Sequence, residues 1–223
     1  MIGRATISPL TDLLARKRLL IFDLDGTLVN SSPLHARAFA DVFAPLSVVV
    51  DYQRIAGMTT GAAVDQLAGE AGIALTPEMR AALVADKQAR ARLLIDAELE
   101  PIAGAAEFVR RAHGRWRLAL CTSASRANAD AALRRTRLDG FDPIVTAEDV
   151  TRGKPDAEPY RTVLARTGVA ASDALVFEDA PSGLASAAAA RIDAVEITGD
   201  LASDAGGWRA NWSMLNDALG PLA

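Results

Sequence analysis

The chain has 223 residues, half of them apolar and 23% charged, which is enough for a packed core in one large domain or a domain with an insert. A net charge of −4 without a basic run argues against nucleic acid as a partner. No apolar run reaches the ~18 residues that span a bilayer, and charges interrupt the first 18 residues, so no membrane or signal segment is predicted. The single cysteine, Cys121, favours a reducing cytoplasm. We expect a monomer or weak dimer.

Short apolar strands alternate with helical patterns along the chain. The first 18 residues are interpreted as a leader or a helix packed outside the first strand. Ser125 is expected to precede a helix reaching about Arg135, and Pro155 and Pro181 each suit a first helical turn. The predicted strands cover residues 19–23, 116–122, 143–146, 174–178 and 194–197. This alternation predicts an α/β fold with a doubly wound, Rossmann-like parallel sheet.

Helical patterns dominate from Pro33 to about Glu100. Thr76 is expected to cap a helix that has Pro77 in its first turn and continues towards Leu94. We therefore predict an all-helical cap domain at residues 32–100, inserted into a core formed by residues 1–31 and 101–223.

Acidic, hydroxyl and lysyl side chains follow the predicted strands. They are Asp23, Asp25, Thr122, Ser123, Lys154, Glu178 and Asp179. The carboxyl ends of parallel strands lie at one edge of a sheet, where α/β proteins bind their ligands. We therefore expect these side chains to form one site.

These residue types suit phosphoryl transfer. One carboxylate can attack phosphorus and form an acyl-phosphate, and a second can protonate the leaving alcohol and then take a proton from water. Acids at two strand ends can bind Mg²⁺, and a hydroxyl and a lysine can hold the charge of the transferring group. Two unit charges ~4 Å apart repel by about 4 kcal/mol at an effective dielectric of 20, so clustered acids need a cation.

Four segments in this order resemble the motifs of the haloacid dehalogenase superfamily. They are FDLDGTLV (residues 22–29), LALCTSAS (118–125), GKPDAEPY (153–160) and FEDAPSG (177–183). The resemblance covers nearly the whole chain. It is closest to members with a helical cap after the first strand, such as phosphoglycolate phosphatase and β-phosphoglucomutase.

The resemblance implies a role for each matching residue. Asp23 would be the nucleophile and a metal ligand, and Asp25 the general acid/base, with its backbone carbonyl on the metal. Glu178 and Asp179 would complete a Mg²⁺ site. The phosphate- and substrate-binding residues would be Ser123, Lys154, Thr27, Thr122 and Ala124. An aspartate two residues after Asp23 favours hydrolysis or mutase chemistry over dehalogenation.

Two residues of the cap segment, His35 and Lys87, match positions near the substrate in the related mutases. A packed or solvated linker histidine and a solvated helix lysine are the alternatives. Thr60 stands where the mutase has an arginine for its non-reacting phosphate, which weakens a mutase assignment.

The sequence therefore predicts a Mg²⁺-dependent phosphatase acting on a small phosphorylated metabolite through an aspartyl-phosphate. Two alternatives stay open. One is a sugar-phosphate mutase on the same scaffold. The other is a non-enzymatic domain, either phosphate-binding or of the receiver type that holds a phospho-aspartate as a signal.

Overall fold

The computed structural model describes residues 9–198 and 208–220. Its centre is a parallel six-stranded sheet with the order β3-β2-β1-β4-β5-β6. The strands are β1 (Leu19–Phe22), β2 (Arg117–Cys121), β3 (Phe141–Val145), β4 (Ala174–Glu178), β5 (Asp193–Ile197) and β6 (Trp208–Ala210). The predicted α/β fold is confirmed. All five predicted strands are present, with ends that differ by at most two residues. Only β6 was not predicted, because three residues are too few to show a pattern.

Helices cover both faces of the sheet and fill the segment between β1 and β2. They are α1 (Pro9–Ala15), α2 (Ser32–Phe43), α3 (Thr60–Glu70), α4 (Pro77–Glu98), α5 (Ala105–Ala112), α6 (Arg126–Thr136), α7 (Glu158–Thr167), α8 (Pro181–Ala189) and α9 (Trp212–Ala218). Among the residues described, no helix combines the length and the apolar character that crossing a membrane requires.

Strand β1 is buried along its whole length because its two faces belong to two different cores. Leu20 and Phe22 pack with helices α1, α5, α6 and α9, whereas Leu19 and Ile21 pack with α7 and α8. Successive strand residues point to opposite faces, so a run of four apolar residues is what a strand covered on both sides requires. The run thereby places the residues that follow it at the centre of one sheet edge.

The N-terminal segment contains a helix, α1, that packs against the sheet through the buried residues Leu10 and Leu14. The prediction of a helix packed outside the first strand agrees with α1. Residues 1–8, which the prediction of a leader also covered, lie outside the described residues.

Residues 32–100, between β1 and β2, contain helices α2, α3 and α4 and no strand. This segment has its own apolar core, which includes Phe39, Phe43 and Val64. Thr76 caps α4 as predicted, since its Oγ1 accepts the backbone N–H of Met79 at 3.2 Å. These features support the proposed division into a core and a helical cap at residues 32–100.

The prediction for Pro155 is wrong. Helix α7 begins only at Glu158, and residues 151–157 form a turn before it. The Glu158 carboxylate accepts the backbone N–H groups of Thr151 and Arg152 at 2.7 and 3.0 Å, which folds the loop back onto the helix start. The corresponding prediction for Pro181 is correct, because Pro181 is the first residue of α8.

Candidate active site

The candidate site lies where the strand order changes direction, between the central strands β1 and β4. Asp23 follows β1, and Glu178 is the last residue of β4. The backbone N–H of Asp23 donates to the Phe177 carbonyl at 3.0 Å, so the two strand ends are held side by side. Open α/β sheets bind ligands at such a switch point.

Lys154 joins the two strand ends. Its Nζ lies 2.6 Å from Asp23 Oδ1 and 2.6 Å from Glu178 Oε1, and it donates to the Cys121 carbonyl at 3.0 Å. All three charged side chains are buried. One ammonium group therefore bridges two carboxylates that would otherwise repel each other.

The site holds more negative charge than Lys154 balances. Burial raises the pKa of Asp23 well above its usual range, and the charges of Glu178, Asp179 and Asp25 raise it further, against the attraction of Lys154. Burial and the charge of Glu178 also raise the pKa of Asp179, to about 6. The attraction of Asp23 and Glu178 outweighs burial at Lys154 and raises its pKa, so that Lys154 stays an ammonium.

The residues present fit a small divalent cation. One carboxylate oxygen from each of Asp23, Glu178 and Asp179 lies within 4.8 Å of the others. Carboxylate oxygens are the ligands that Mg²⁺ prefers, and a dication would offset the repulsion that raises the pKa values of these acids. Glu178 also has protein partners on both oxygens, since Oε2 accepts the Ala180 backbone N–H at 2.9 Å.

Two glycines make room for these acids. Gly26 has a φ of +87°, and a Cβ there would collide with the Asp179 carboxylate. A Cβ at Gly183 would collide with the carboxylate of Glu178. Glycine is therefore required at both positions for the acids to reach the sheet edge.

Thr27 holds Asp179 rather than contacting the cavity beside Asp23. Its Oγ1 donates to Asp179 Oδ1 at 2.9 Å, and its carbonyl accepts the indole N–H of Trp212 at 2.9 Å. Thr27 is fully buried and does not line that cavity. The geometry suits a residue that orders the acidic loop more than one that binds substrate directly, the role that the resemblance implied for Thr27.

The segment after β2 brings Thr122, Ser123 and Ala124 to the cavity. Thr122 Oγ1 accepts the backbone N–H of Ala124 at 3.0 Å, which closes a tight turn. Ser123 Oγ donates to the Gly57 carbonyl at 2.9 Å, so this hydroxyl joins the core to the loop before α3. Helix α6 begins directly after Ser125, as predicted, and the Ser125 side chain caps it.

Asp25 begins a series of polar contacts that reaches α4. Its Oδ1 accepts the Ser31 hydroxyl at 2.5 Å and lies 3.1 Å from His35 Nε2. His35 Nδ1 lies 3.1 Å from Lys87 Nζ. An ammonium group has only donors, so Nδ1 accepts from Lys87 and the ring proton lies on Nε2, where it donates to Asp25.

Burial and these contacts shift the pKa values of Asp25 and Lys87. Burial alone would raise the pKa of Asp25, but the hydrogen bonds from His35 and Ser31 and the charge of Lys87 lower it below its usual value. Burial lowers the pKa of Lys87 to about 8, against the attraction of Asp25. Lys87 Nζ also lies 4.4 Å above the Phe39 ring. Of the two predicted cap residues, His35 therefore contacts Asp25 directly, and Lys87 contacts His35.

The buried lysine predicts a pH-dependent stability difference. Between about pH 8 and pH 10.5 the unfolded chain holds the Lys87 proton and the native state does not, so Lys87 makes stability rise with pH. Relative to Lys87→Met, the unfolding free energy of the wild type should increase by about 2 kcal/mol from pH 7 to pH 9.5.

Urea denaturation at both pH values measures this difference. Arg90→Met, which changes a half-exposed side chain on the same helix, is the control. It keeps Lys87, so the difference in unfolding free energy between Arg90→Met and the wild type should be the same at both pH values. A constant difference between Lys87→Met and the wild type would contradict the lowered pKa of Lys87.

The cavity at this site has a volume of about 40 Å³. It is lined by Asp23, Asp25, His35, Lys87 and Glu178, together with the turn at residues 122–125. Sequence reasoning missed several further lining residues: Phe39, Tyr52, Ile55, Met58 and Asn128. Isolated aromatic, apolar and amide residues in helices and turns carry no signal of a site.

Known proteins resemble the chain over most of its length. Residues 17–191 match the haloacid dehalogenase-like hydrolases. The chain is 34% identical over 199 residues to validoxylamine A 7'-phosphate phosphatase from Streptomyces hygroscopicus subsp. limoneus, covering 81% of this chain and 85% of that protein. It is 31% identical over 182 residues to fructose-1-phosphate phosphatase YqaB from Escherichia coli, covering 80% of this chain and 95% of that protein.

A solved structure shows the same architecture. CbbY from Rhodobacter sphaeroides, in complex with phosphate, superimposes with a TM-score of 0.77 at 27% identity, covering 92% of this chain and 100% of that one. The similarity that the four motifs predicted is therefore confirmed. The chain belongs to the haloacid dehalogenase-like hydrolase family.

Proposed function

We propose that this hydrolase is a Mg²⁺-dependent phosphatase that cleaves a small phosphorylated metabolite, a sugar phosphate or a similar monoester, through an aspartyl-phosphate. The observation that carries the proposal is the pairing of two carboxyl groups in one cavity. Asp23 is held by Lys154, and Asp25 is held separately by Ser31 and His35. The family and the relatives named as phosphatases support a phosphoric monoester hydrolase.

In the first step a carboxylate oxygen of Asp23 attacks phosphorus while the bond from phosphorus to the ester oxygen breaks. In the ester complex the negative charge of the bound phosphate raises the pKa of Asp25, which is low in the free site. The protonated Asp25 carboxyl then supplies the proton that the leaving alkoxide needs. In the second step Asp25 takes a proton from water, whose oxygen attacks the acyl-phosphate and releases inorganic phosphate and Asp23. Lys154 and the turn at residues 122–124 hold the phosphoryl oxygens.

Asp23, Asp179 and Glu178, with the backbone carbonyl of Asp25, would hold Mg²⁺. The cation would lower the repulsion between these acids and the phosphate and would polarise the phosphoryl group. The spacing of the carboxylate oxygens and the raised pKa values of Asp23 and Asp179 support this assignment.

The small cavity implies that the helical segment moves during turnover. A volume of about 40 Å³ accommodates water but not a sugar phosphate. The contacts from Ser123 to Gly57 and from His35 to Asp25 join residues of the core to residues of the proposed cap. We propose that these contacts open to admit the ester and close over it to control water access.

We expect Asp25→Asn to lower turnover of an alkyl phosphate at least about a hundredfold. An amide can neither give a proton to the leaving alkoxide nor take one from the attacking water. With para-nitrophenyl phosphate, whose leaving group needs no proton, the variant should still release about one equivalent of nitrophenol per enzyme before slow turnover. Stopped-flow absorbance measures this burst.

Asp130→Asn is the matched control for Asp25→Asn, since Asp130 lies on α6 and does not line the cavity. We expect this control to retain the wild-type rate. An unchanged steady-state rate in Asp25→Asn would show that another group transfers the proton.

A metabolite screen with and without Mg²⁺ tests the function itself. We expect metal-dependent phosphate release from sugar monophosphates, since one relative is named for fructose 1-phosphate. Isomerised sugar phosphate with little free phosphate, formed from hexose 1-phosphate and a trace of bisphosphate, would support the mutase instead. No release from any ester would support a binding or signalling role.

The single cysteine supports a reducing compartment for the enzyme. Burial raises the pKa of the Cys121 thiol to about 12, so the thiol packs in the core and is unreactive. We propose a cytoplasmic enzyme acting as a monomer or weak dimer, with a small-molecule substrate and without nucleic-acid or membrane partners.

A further inference from the structure

Asn128 is a buried polar residue whose position its own helix does not explain. It is the third residue of α6, and its side chain lines the active-site cavity while being only 3% exposed. Its backbone N–H donates to the capping hydroxyl of Ser125, which any residue could do. Within the described part of the chain, Asn128 Oδ1 has no hydrogen-bond partner.

An unpartnered buried amide oxygen is unfavourable for folding. Buried polar side-chain atoms nearly always have a partner, and alanine would avoid the cost and suit a helix better. If the Asn128 amide is rotated so that Oδ1 and Nδ2 exchange places, it still presents one acceptor and one donor group to its surroundings. A polar group of this kind in a cavity wall indicates a ligand that supplies the missing partner.

The lining of the cavity indicates the chemistry of that ligand. Besides the acids, it includes neutral side chains such as Phe39, Tyr52 and Met58. The nitrogen groups of Lys87 and His35, which also line it, are bonded to each other and towards Asp25. Such a lining suits a neutral hydroxylated group better than a second phosphate or a carboxylate.

We propose that the Asn128 carboxamide hydrogen-bonds to a hydroxyl of the leaving alcohol and thereby selects neutral, polyhydroxylated phosphate esters. The proposal rests on the proposed phosphatase function and names the substrate class of the same site. A site built to bond a hydroxyl discriminates against an analogue without it, because its buried polar group is then left unpaired.

A matched pair of esters tests the role of Asn128. Sorbitol 6-phosphate and hexyl phosphate share a six-carbon chain and differ in the hydroxyls of the leaving alcohol. We expect the wild-type kcat/KM to be higher for sorbitol phosphate. In Asn128→Ala the ratio of kcat/KM for sorbitol phosphate to that for hexyl phosphate should fall about tenfold or more.

Asp130→Ala, on the same helix but away from the cavity, is the control and should keep the wild-type ratio. Asn128→Leu, which keeps the side-chain size but removes both polar groups, should lower the ratio as Asn128→Ala does. Circular dichroism and thermal melting of all variants show whether each is folded.

The outcomes separate the two proposals. A ratio unchanged in both folded Asn128 variants would overturn the role of Asn128 alone. A wild-type preference for phosphoglycolate, whose leaving group carries a carboxylate, would overturn the selection of neutral esters. A wild type that hydrolyses no ester at all would overturn the phosphatase function and this inference together.

Discussion

Asp23→Asn should abolish turnover, with kcat lower by about a thousandfold or more, while the protein stays folded. An amide oxygen is a poor nucleophile towards phosphorus and cannot form the acyl-phosphate. The fold should persist because Lys154 still has Glu178 as an ion-pair partner at 2.6 Å, so no charge is left unpaired. Removing the negative charge of Asp23 also removes its repulsion with Glu178 and Asp179.

Phosphate release and chemical trapping measure this result. Acid-quenched wild type treated with hydroxylamine should yield a hydroxamate at Asp23, and the variant should yield none. Asp12→Asn, an exposed acid in α1, is the matched control and should behave as the wild type. Turnover at the wild-type rate in Asp23→Asn would refute Asp23 as the nucleophile.

Lys154→Met should have the largest combined effect on activity and stability. Lys154 is the shared partner of Asp23 and Glu178, and all three are buried. Breaking a buried ion pair by removing one partner typically costs about 3–5 kcal/mol, because the remaining charge is left uncompensated. We expect a loss of that size in unfolding free energy at pH 7, together with a loss of phosphatase activity.

Urea denaturation and phosphate release measure the two effects. Arg152→Met is the control, since Arg152 lies in the same loop but its side chain is 70% exposed, and exposed ion pairs contribute little. Lys154→Arg keeps the positive charge and tests whether the shape of the cation matters. A planar guanidinium does not replace an ammonium between two close carboxylates. A Lys154→Met protein as stable as the wild type would show that the bridge does not hold the strand ends together.

The fold was predictable because its signals are local. The apolar run of β1 and the acids after it indicate a strand covered on both faces that ends at a ligand site, and Thr76 with Pro77 marks the start of α4. Strand β6 was missed because it is short and exists through its pairing with β5. Pro155 was misplaced because the loop at residues 151–157 continues past it, and α7 begins at Glu158 with Pro159 in its first turn.

The site was only partly predictable. Its acids, hydroxyls and lysine follow strands, so the topology alone indicates that they meet. Tyr52 and Asn128 lie within or near helical segments, where a polar side chain is ordinarily solvated, and nothing local distinguishes them. The contact of Lys87 with His35 joins residues 52 positions apart, and no sequence spacing specifies it.

By itself, the sequence determined the α/β architecture, the family and the acids at the strand ends, because these depend on patterns within a few residues and on motif order. Only the tertiary structure decided that Lys154 bridges Asp23 and Glu178 and that Lys87 reaches Asp25 through His35. It also decided that Asn128 Oδ1 is buried with no hydrogen-bond partner among the described residues. Such contacts depend on how distant elements pack, and burial, which sets the pKa values and the need for a partner, exists only in the packed chain.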